Sequence, residues 1–173
     1  MEVDQPGAGP VRASERPDVL LEEIAAESRR RRELVKIVRR LSEQAGETSA
    51  IGAMRDAVNA ALPGDRIVLA WEGRALVGAL AFRPSDVGGG TLVSYVGSRK
   101  RGVGRELVRA AARSAAERKE GLRAAAIPLA SGFYERLGFR RARKGGMLLP
   151  LFVLDARRTA AFAAAEQAPA RHR

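Results

Sequence analysis

The first third of the chain carries apolar residues at helical spacing. Leu20, Ile24, Leu34, Val38 and Leu41 form a broken apolar face. That spacing predicts a helix that starts at Asp18 as N-cap and ends at Gly46. Between the two apolar patches lie Arg29–Arg32, four cations in a row, which read as a solvated helix face. A shorter helix is predicted over Ser49–Leu62, stopped by Pro63-Gly64. The pattern then switches to strands. Arg66–Trp71 and Arg74–Phe82 are β-rich runs on either side of Glu72-Gly73, a hairpin with a tight turn. Pro84 and Gly88-Gly89-Gly90 mark a loop before a third strand, Thr91–Val96. The glycine-rich stretch Gly97–Gly104 opens a helix to about Glu120, where Gly121 is expected to stop it. Val103, Leu107, Ala111 and Ala115 give that helix a buried face. Leu122–Ile127 reads as a strand, Ala130–Leu137 as a short helix and Met147–Leu154 as a last strand.

This order predicts an α/β (α+β) fold, a mixed sheet with helices on its faces. No convincing strand precedes the first helix; residues 10–13 are the one candidate. Residues 1–17, with three Pro and two Gly, read as a disordered lead. Residues 18–155 then form the domain, and the Ala- and Arg-rich residues 156–173 a partly helical tail.

Composition narrows the chemistry. The 173 residues hold no Cys and one His, at position 172. A catalytic thiol, a disulfide and a Cys-based metal site are therefore excluded, and a Ser-His-Asp triad is disfavoured. No signal pattern opens the chain, and no apolar run approaches the roughly 20 residues that cross a bilayer, so a cytoplasmic protein is expected. Lys plus Arg number 31 against 20 Asp plus Glu, a net charge of +11. That balance favours an anionic partner: a nucleotide cofactor, an RNA or an acidic protein.

Arg99-Lys100-Arg101-Gly102-Val103-Gly104 lies between a predicted strand and a predicted helix. A helix N-terminus presents unpaired N–H groups and the positive end of a dipole. Glycines at 102 and 104 let backbone approach a phosphate closely, and Lys100, Arg101 and Arg105 add charge. The physics points to a phosphate or pyrophosphate. Leu107 stands where a dinucleotide fingerprint needs its third Gly, and no Gly-Lys-Ser/Thr is present, which removes two common alternatives.

After the next strand comes Ala130-Ser131-Gly132-Phe133-Tyr134-Glu135-Arg136-Leu137-Gly138-Phe139. An R-x-x-G-x-G turn, then a strand, then A-x-x-F-Y-E-x-L-G-F resembles the two core motifs of the GNAT superfamily of N-acetyltransferases. The resemblance is close over residues 91–140 and extends to element order over 66–154. It implies a splayed central sheet with acetyl-CoA as cofactor. Pantetheine would lie between Thr91–Val96 and Leu122–Ile127, pairing with backbone near Tyr95, Val96 and Gly97. The pyrophosphate would meet backbone amides of Arg101, Gly102, Val103, Gly104 and Arg105, with the main chain counting for more than the Arg99 side chain. Three positions depart from the family pattern. Ser98 stands where Pro is frequent, Lys100 where a second Gly is common, and Ile127 where many members place a cofactor-binding Asn.

The resemblance also implies direct attack of an amine on the thioester, in keeping with the missing Cys. Tyr134 matches the family's general acid, and a backbone N–H near Val96 would polarise the carbonyl. No general base is visible. Glu72, Asp86 and Glu135 are the carboxylates to test, while Ser94 and Tyr95 occupy the strand where some members carry one. A water chain, or an amine of low pKa, would make a base unnecessary. Trp71 and Phe82 are candidate walls of the acceptor pocket, and Phe133 and Phe139 candidate core.

The acceptor stays open. One reading is a small primary amine or a protein amino group. A second is the amino group of an aminoacyl-tRNA, as in GNAT toxins. Residues 99–123 hold nine basic and three acidic side chains, and Arg136, Arg140, Arg141, Arg143 and Lys144 follow, a surface that suits RNA. A third is a degenerate domain that binds CoA or a partner without turnover. The resemblance makes a homodimer common, but no interface is identified.

Overall fold

The computed structural model describes residues 18–84, 89–126, 130–142 and 150–165. The expected lead at 1–17 with its candidate strand at 10–13, Asp86, Ile127, Arg143, Lys144, residues 147–149 and residues 166–173 lie outside them.

The first element is β1 (Leu20–Ala25), a strand where a helix was expected. Leu20 and Ile24 are four residues apart, a step that is nearly one helical turn but also an even strand interval. Strand pairing decides it. β1 runs antiparallel to β2 (Arg66–Glu72), with Leu20 opposite Trp71 and Ile24 opposite Ile67. Glu22, on this edge strand, accepts the Trp71 indole N–H at 2.9 Å and pairs with Arg30 at 2.6 Å. The helix α1 (Arg31–Ala45) starts only after a turn, and buries Leu34 and Val38. Gly46 ends it, as expected.

The four-arginine run is therefore not one helix face. Arg31 reaches across to α2 (Ser49–Asn59) and donates to the carbonyls of Val58 and Asn59, each at 2.8 Å, and to Ala26 at 3.1 Å. A helix end leaves its last carbonyls unpaired and carries negative dipole charge, so a guanidinium caps it well. Thr48 caps the other end of α2, accepting the Ile51 N–H at 3.2 Å.

The hairpin follows as expected: β2 turns through Gly73 (φ 58°) into β3 (Ala75–Arg83). Then come β4 (Thr91–Ser98), α3 (Val103–Glu117), β5 (Leu122–Ala125), α4 (Ser131–Arg136), a two-residue β6 (Arg140–Arg141), β7 (Leu151–Leu154) and α5 (Ala156–Ala164). The left-handed turn after α3 falls at Lys119 (φ 57°), two residues before the expected Gly121. All seven strands join one sheet in the order β1-β2-β3-β4-β5-β7-β6. Among the described residues only β4 and β5 are parallel neighbours.

Alternate residues of β2 and β3 enter opposite cores. Ile67, Leu69, Ala79 and Ala81 pack under α1 and α2. Val68, Ala70, Leu80 and Phe82 pack with Leu107, Val108 and Ala111 of α3. The period of two along each strand explains why both faces are apolar and the middles of these strands are buried. α5 closes the second core. Thr159, fully buried, accepts the Leu122 N–H at 3.2 Å and donates to the Leu154 carbonyl at 3.1 Å. Arg109 of α3 is buried beside it, with Glu106 at 2.5 Å and the Phe162 ring 5.4 Å away.

Candidate active site

β4 is paired along its length with β3, but with β5 only from Thr91 to Val93, opposite Leu122 to Ala124. Beyond Val93 the two strands part. A β-bulge lies at the same place: Phe82 faces Val93 and Ala81 faces Tyr95, so Ser94 has no opposite number on β3. Bulges bend a strand and end its regular pairing. The opening is a cleft of about 560 Å³ lined by Ser94–Ser98 of β4, Ala125 and Ala126, Gly104 of α3, Phe133 and Tyr134 of α4, and one face of α2.

Glycine decides how closely the walls approach. A methyl at Gly97 would collide with the Ala50 carbonyl of α2 and lie 2.8 Å from the Met54 nitrogen. Only a residue without Cβ lets α2 settle over β4. At the opposite end Gly102 is the N-cap of α3 with φ 84°, a left-handed conformation that glycine takes without steric cost. This turn leaves the first amides of α3 unpaired. Among the described residues, the N–H groups of Arg101, Gly102, Gly104 and Arg105 have no backbone or side-chain acceptor. Two neighbours differ. The Val103 N–H closes onto the Lys100 carbonyl at 3.3 Å, and the Arg99 N–H bonds the Val77 carbonyl at 2.8 Å. Val103 is fully buried and anchors the turn by packing. The Lys100 ammonium pairs with Glu72 across the hairpin turn, which turns its charge aside. The turn thus presents backbone amides and a helix dipole, with Arg99, Arg101 and Arg105 exposed around it.

Tyr134 is 3% exposed and boxed by rings: Phe133 at 5.1 Å and Phe139 at 5.3 Å, both edge-on, and Phe152 stacked at 5.9 Å. It lines the cleft, and its hydroxyl has no hydrogen-bond partner among the described residues. Desolvation holds its pKa well above the usual 10.

Residues 63–141 match the family model for the acetyltransferase (GNAT) domain. Over that stretch the chain resembles a GNAT domain. The match runs from the turn before β2 to β6, and includes both motifs and every element between them. The solved structures agree in fold. A GNAT-family protein from Desulfovibrio desulfuricans superposes with a TM-score of 0.57 at 18% identity, covering 80% of this chain and 99% of that one. Tetrahymena GCN5 gives 0.57 at 15% identity, over 79% and 95% of the two chains. An acyl-CoA N-acyltransferase from Pseudomonas aeruginosa gives 0.53 at 15% identity, over 79% and 97%. No curated protein matches the sequence.

Within this fold the expected site residues come together in part. Tyr95, Val96, Gly97, Gly104 and Tyr134 line one cleft, and Gly102 shapes its α3 end. Trp71 and Phe82 do not. Phe82 lies wholly in the core and Trp71 packs on the α1–α2 side. Glu72 is tied to Lys100, and Glu135 is exposed on α4 outside the lining. The wall contributed by α2 was not anticipated. Ser49, Gly52, Ala53 and Asp56 line the cleft at helical spacing, and Asp56 is its one charged side chain among the described residues. The stripe is small and mostly uncharged, so it carries no motif that sequence alone could signal.

Proposed function

We propose that this chain is an N-acetyltransferase that takes acetyl-CoA and a primary amine into the cleft between β4 and β5. The observation that carries the reading is the parting of those strands beside the unpaired amides of the α3 N-terminus. A pyrophosphate fits the amides of Arg101, Gly102, Gly104 and Arg105, where the helix dipole favours negative charge. The β4 edge from Ser94 to Ser98, free of β5, offers backbone groups to the pantetheine arm. Acetyl-CoA supplies an acyl group already activated as a thioester. The amine nitrogen bonds to the acyl carbon, the C–S bond breaks, and the surplus amine proton passes to sulfur or solvent.

Tyr134 works here as a hydrogen-bond donor. Burial makes its tyrosinate costly, so full proton transfer to a thiolate, whose thiol titrates near ~8.5, runs uphill. A hydroxyl that keeps its proton still stabilises charge developing on sulfur. Ammonium deprotonation of the acceptor then governs the rising limb of the pH profile. No falling limb from Tyr134 is expected below about pH 10, because its pKa is raised above that value.

Calorimetry with acetyl-CoA tests the reading, comparing the wild type with Gly104→Glu. A Cβ at Gly104 lies 3.3 Å from the Phe133 ring and 3.4 Å from Ser98 Oγ, so the new carboxylate enters the cleft beside the amides. Binding by the wild type, weakened more than about 100-fold in the variant, supports the cradle. No binding by the wild type at millimolar cofactor sinks the enzyme and leaves a partner-binding domain.

A second reading has its own observation. Arg99, Arg101, Arg105, Arg136, Arg140 and Arg141 are exposed and make no ion pair among the described residues. They favour an acceptor attached to RNA, and a steep loss of affinity with salt is its signature.

A further inference from the structure

We infer that the acceptor is a small amine bearing a second positive charge, and that Asp56 of α2 anchors it. The inference rests on the acetyl-transfer reading and names its substrate class. The cleft is electrically lopsided. Its α3 end offers unpaired amides and a positive helix terminus, which suit the anionic cofactor. Its α2 wall carries the reverse. Asp56 Oδ1 faces the Arg55 guanidinium at 3.3 Å and 3.4 Å, long contacts at the limit of hydrogen bonding. Arg55 is shared: its Nη1 pairs with Glu47. Two carboxylates therefore hold one cation, and one negative charge is left over. No basic side chain lines the cleft among the described residues, so nothing within it cancels that charge.

The remaining lining also matters. Apart from Asp56 it offers serines, two tyrosines, Phe133 and small apolar residues. Such walls exclude a carboxylate or phosphate on the acceptor, because no cation is there to receive it. In a chain of net charge +11, a negative patch inside the cleft is a local exception that long-range attraction does not explain. It selects against a polyanion at this end, while the exposed arginines stand outside the lining. Asp56 is a specificity residue in this account. It holds the charged end of the acceptor while the other amine reaches the cofactor.

The experiment uses three four-carbon amines that differ in the far group: 1,4-diaminobutane, 4-amino-1-butanol and 4-aminobutanoate. Thiol release is followed with saturating acetyl-CoA, and calorimetry reads the binding of the diamine with and without CoA. The diamine should have a KM about tenfold below that of the amino alcohol, with the amino acid poorest. Asp56→Asn should erase the preference while leaving acetyl-CoA affinity unchanged, and Asp56→Glu should restore it. Arg55→Gln should move KM for the diamine the opposite way, because the competing cation is gone; a purely structural role for Asp56 predicts no such reversal. A preference that survives Asp56→Asn overturns the inference. So does failure of the diamine to bind at millimolar concentration while acetyl-CoA binds. Loss of acetyl-CoA binding in the wild type counts against the transfer reaction itself and is read separately.

Discussion

The two long walls of the cleft are made by different means. On the α3 side the work is done by backbone: a left-handed glycine, a run of unpaired amides and a helix dipole. On the α2 side it is done by side chains, small ones at Ser49, Gly52 and Ala53 and a charged one at Asp56. Backbone recognition demands particular residues at particular places, because few residues tolerate the conformation. Side-chain recognition leaves the helix free to vary. The first wall should hold what all such clefts share, and the second what distinguishes this one.

That contrast can be pressed. Of three further variants, the one with the largest expected effect lies on the α4 side of the cleft. Tyr134→Phe should lower kcat about 100-fold with acetyl-CoA affinity unchanged, since the lost hydroxyl acts on developing charge and not on ground-state binding. Equal loss in kcat and in cofactor affinity would return Tyr134 to a packing role. Next is Gly102→Ala. A left-handed alanine costs about 1–2 kcal/mol, and the turn should relax when the cofactor is absent. Acetyl-CoA affinity should fall about tenfold with little change in melting temperature. A change in stability alone would mean that the loop does not move. The smallest effect belongs to the other wall. Thr48→Ala removes the α2 cap and should cost about 1 kcal/mol, a drop in Tm of roughly 2–4 °C, with cofactor affinity intact. Were cofactor binding to weaken as well, the two walls would not be independent.

The same division decides what could be read in advance. The hairpin, β4, α3 and α4 were legible because each carries a strong period or a glycine where the backbone needs one. The Arg99–Gly104 turn and the Phe133–Phe139 segment were legible for the same reason. β1 was not, because Leu20 and Ile24 fit a helix and a strand equally well, and only pairing with β2 separates the two. β6 is two residues long and has no period at all. Arg29–Arg32 looked like one charged face, yet Arg30 pairs at the surface with Glu22 of β1 and Arg31 reaches to the end of α2. Asp56 was invisible because its meaning depends on which face of α2 meets the cleft. That face is set by close approach at Gly97, a tertiary fact.

The extra residue at Ser94 acts as a change of phase. Val93 lies in the core under α3, and strict alternation would send Tyr95 and Gly97 the same way. Instead Val96 packs toward that core, and Gly97 meets Ala50 and Met54 of α2 on the other side. One residue inserted in β4 thus swaps the two faces of everything that follows it. Pairing Ser94 in regular register, without the bulge, would instead present Val96 or Ser98 where α2 now rests on Gly97. The side chain arriving there would hold the helix off, and the cleft would lose a wall with no residue of that wall altered. A single step in strand parity therefore assigns the glycine to the helix that needs it.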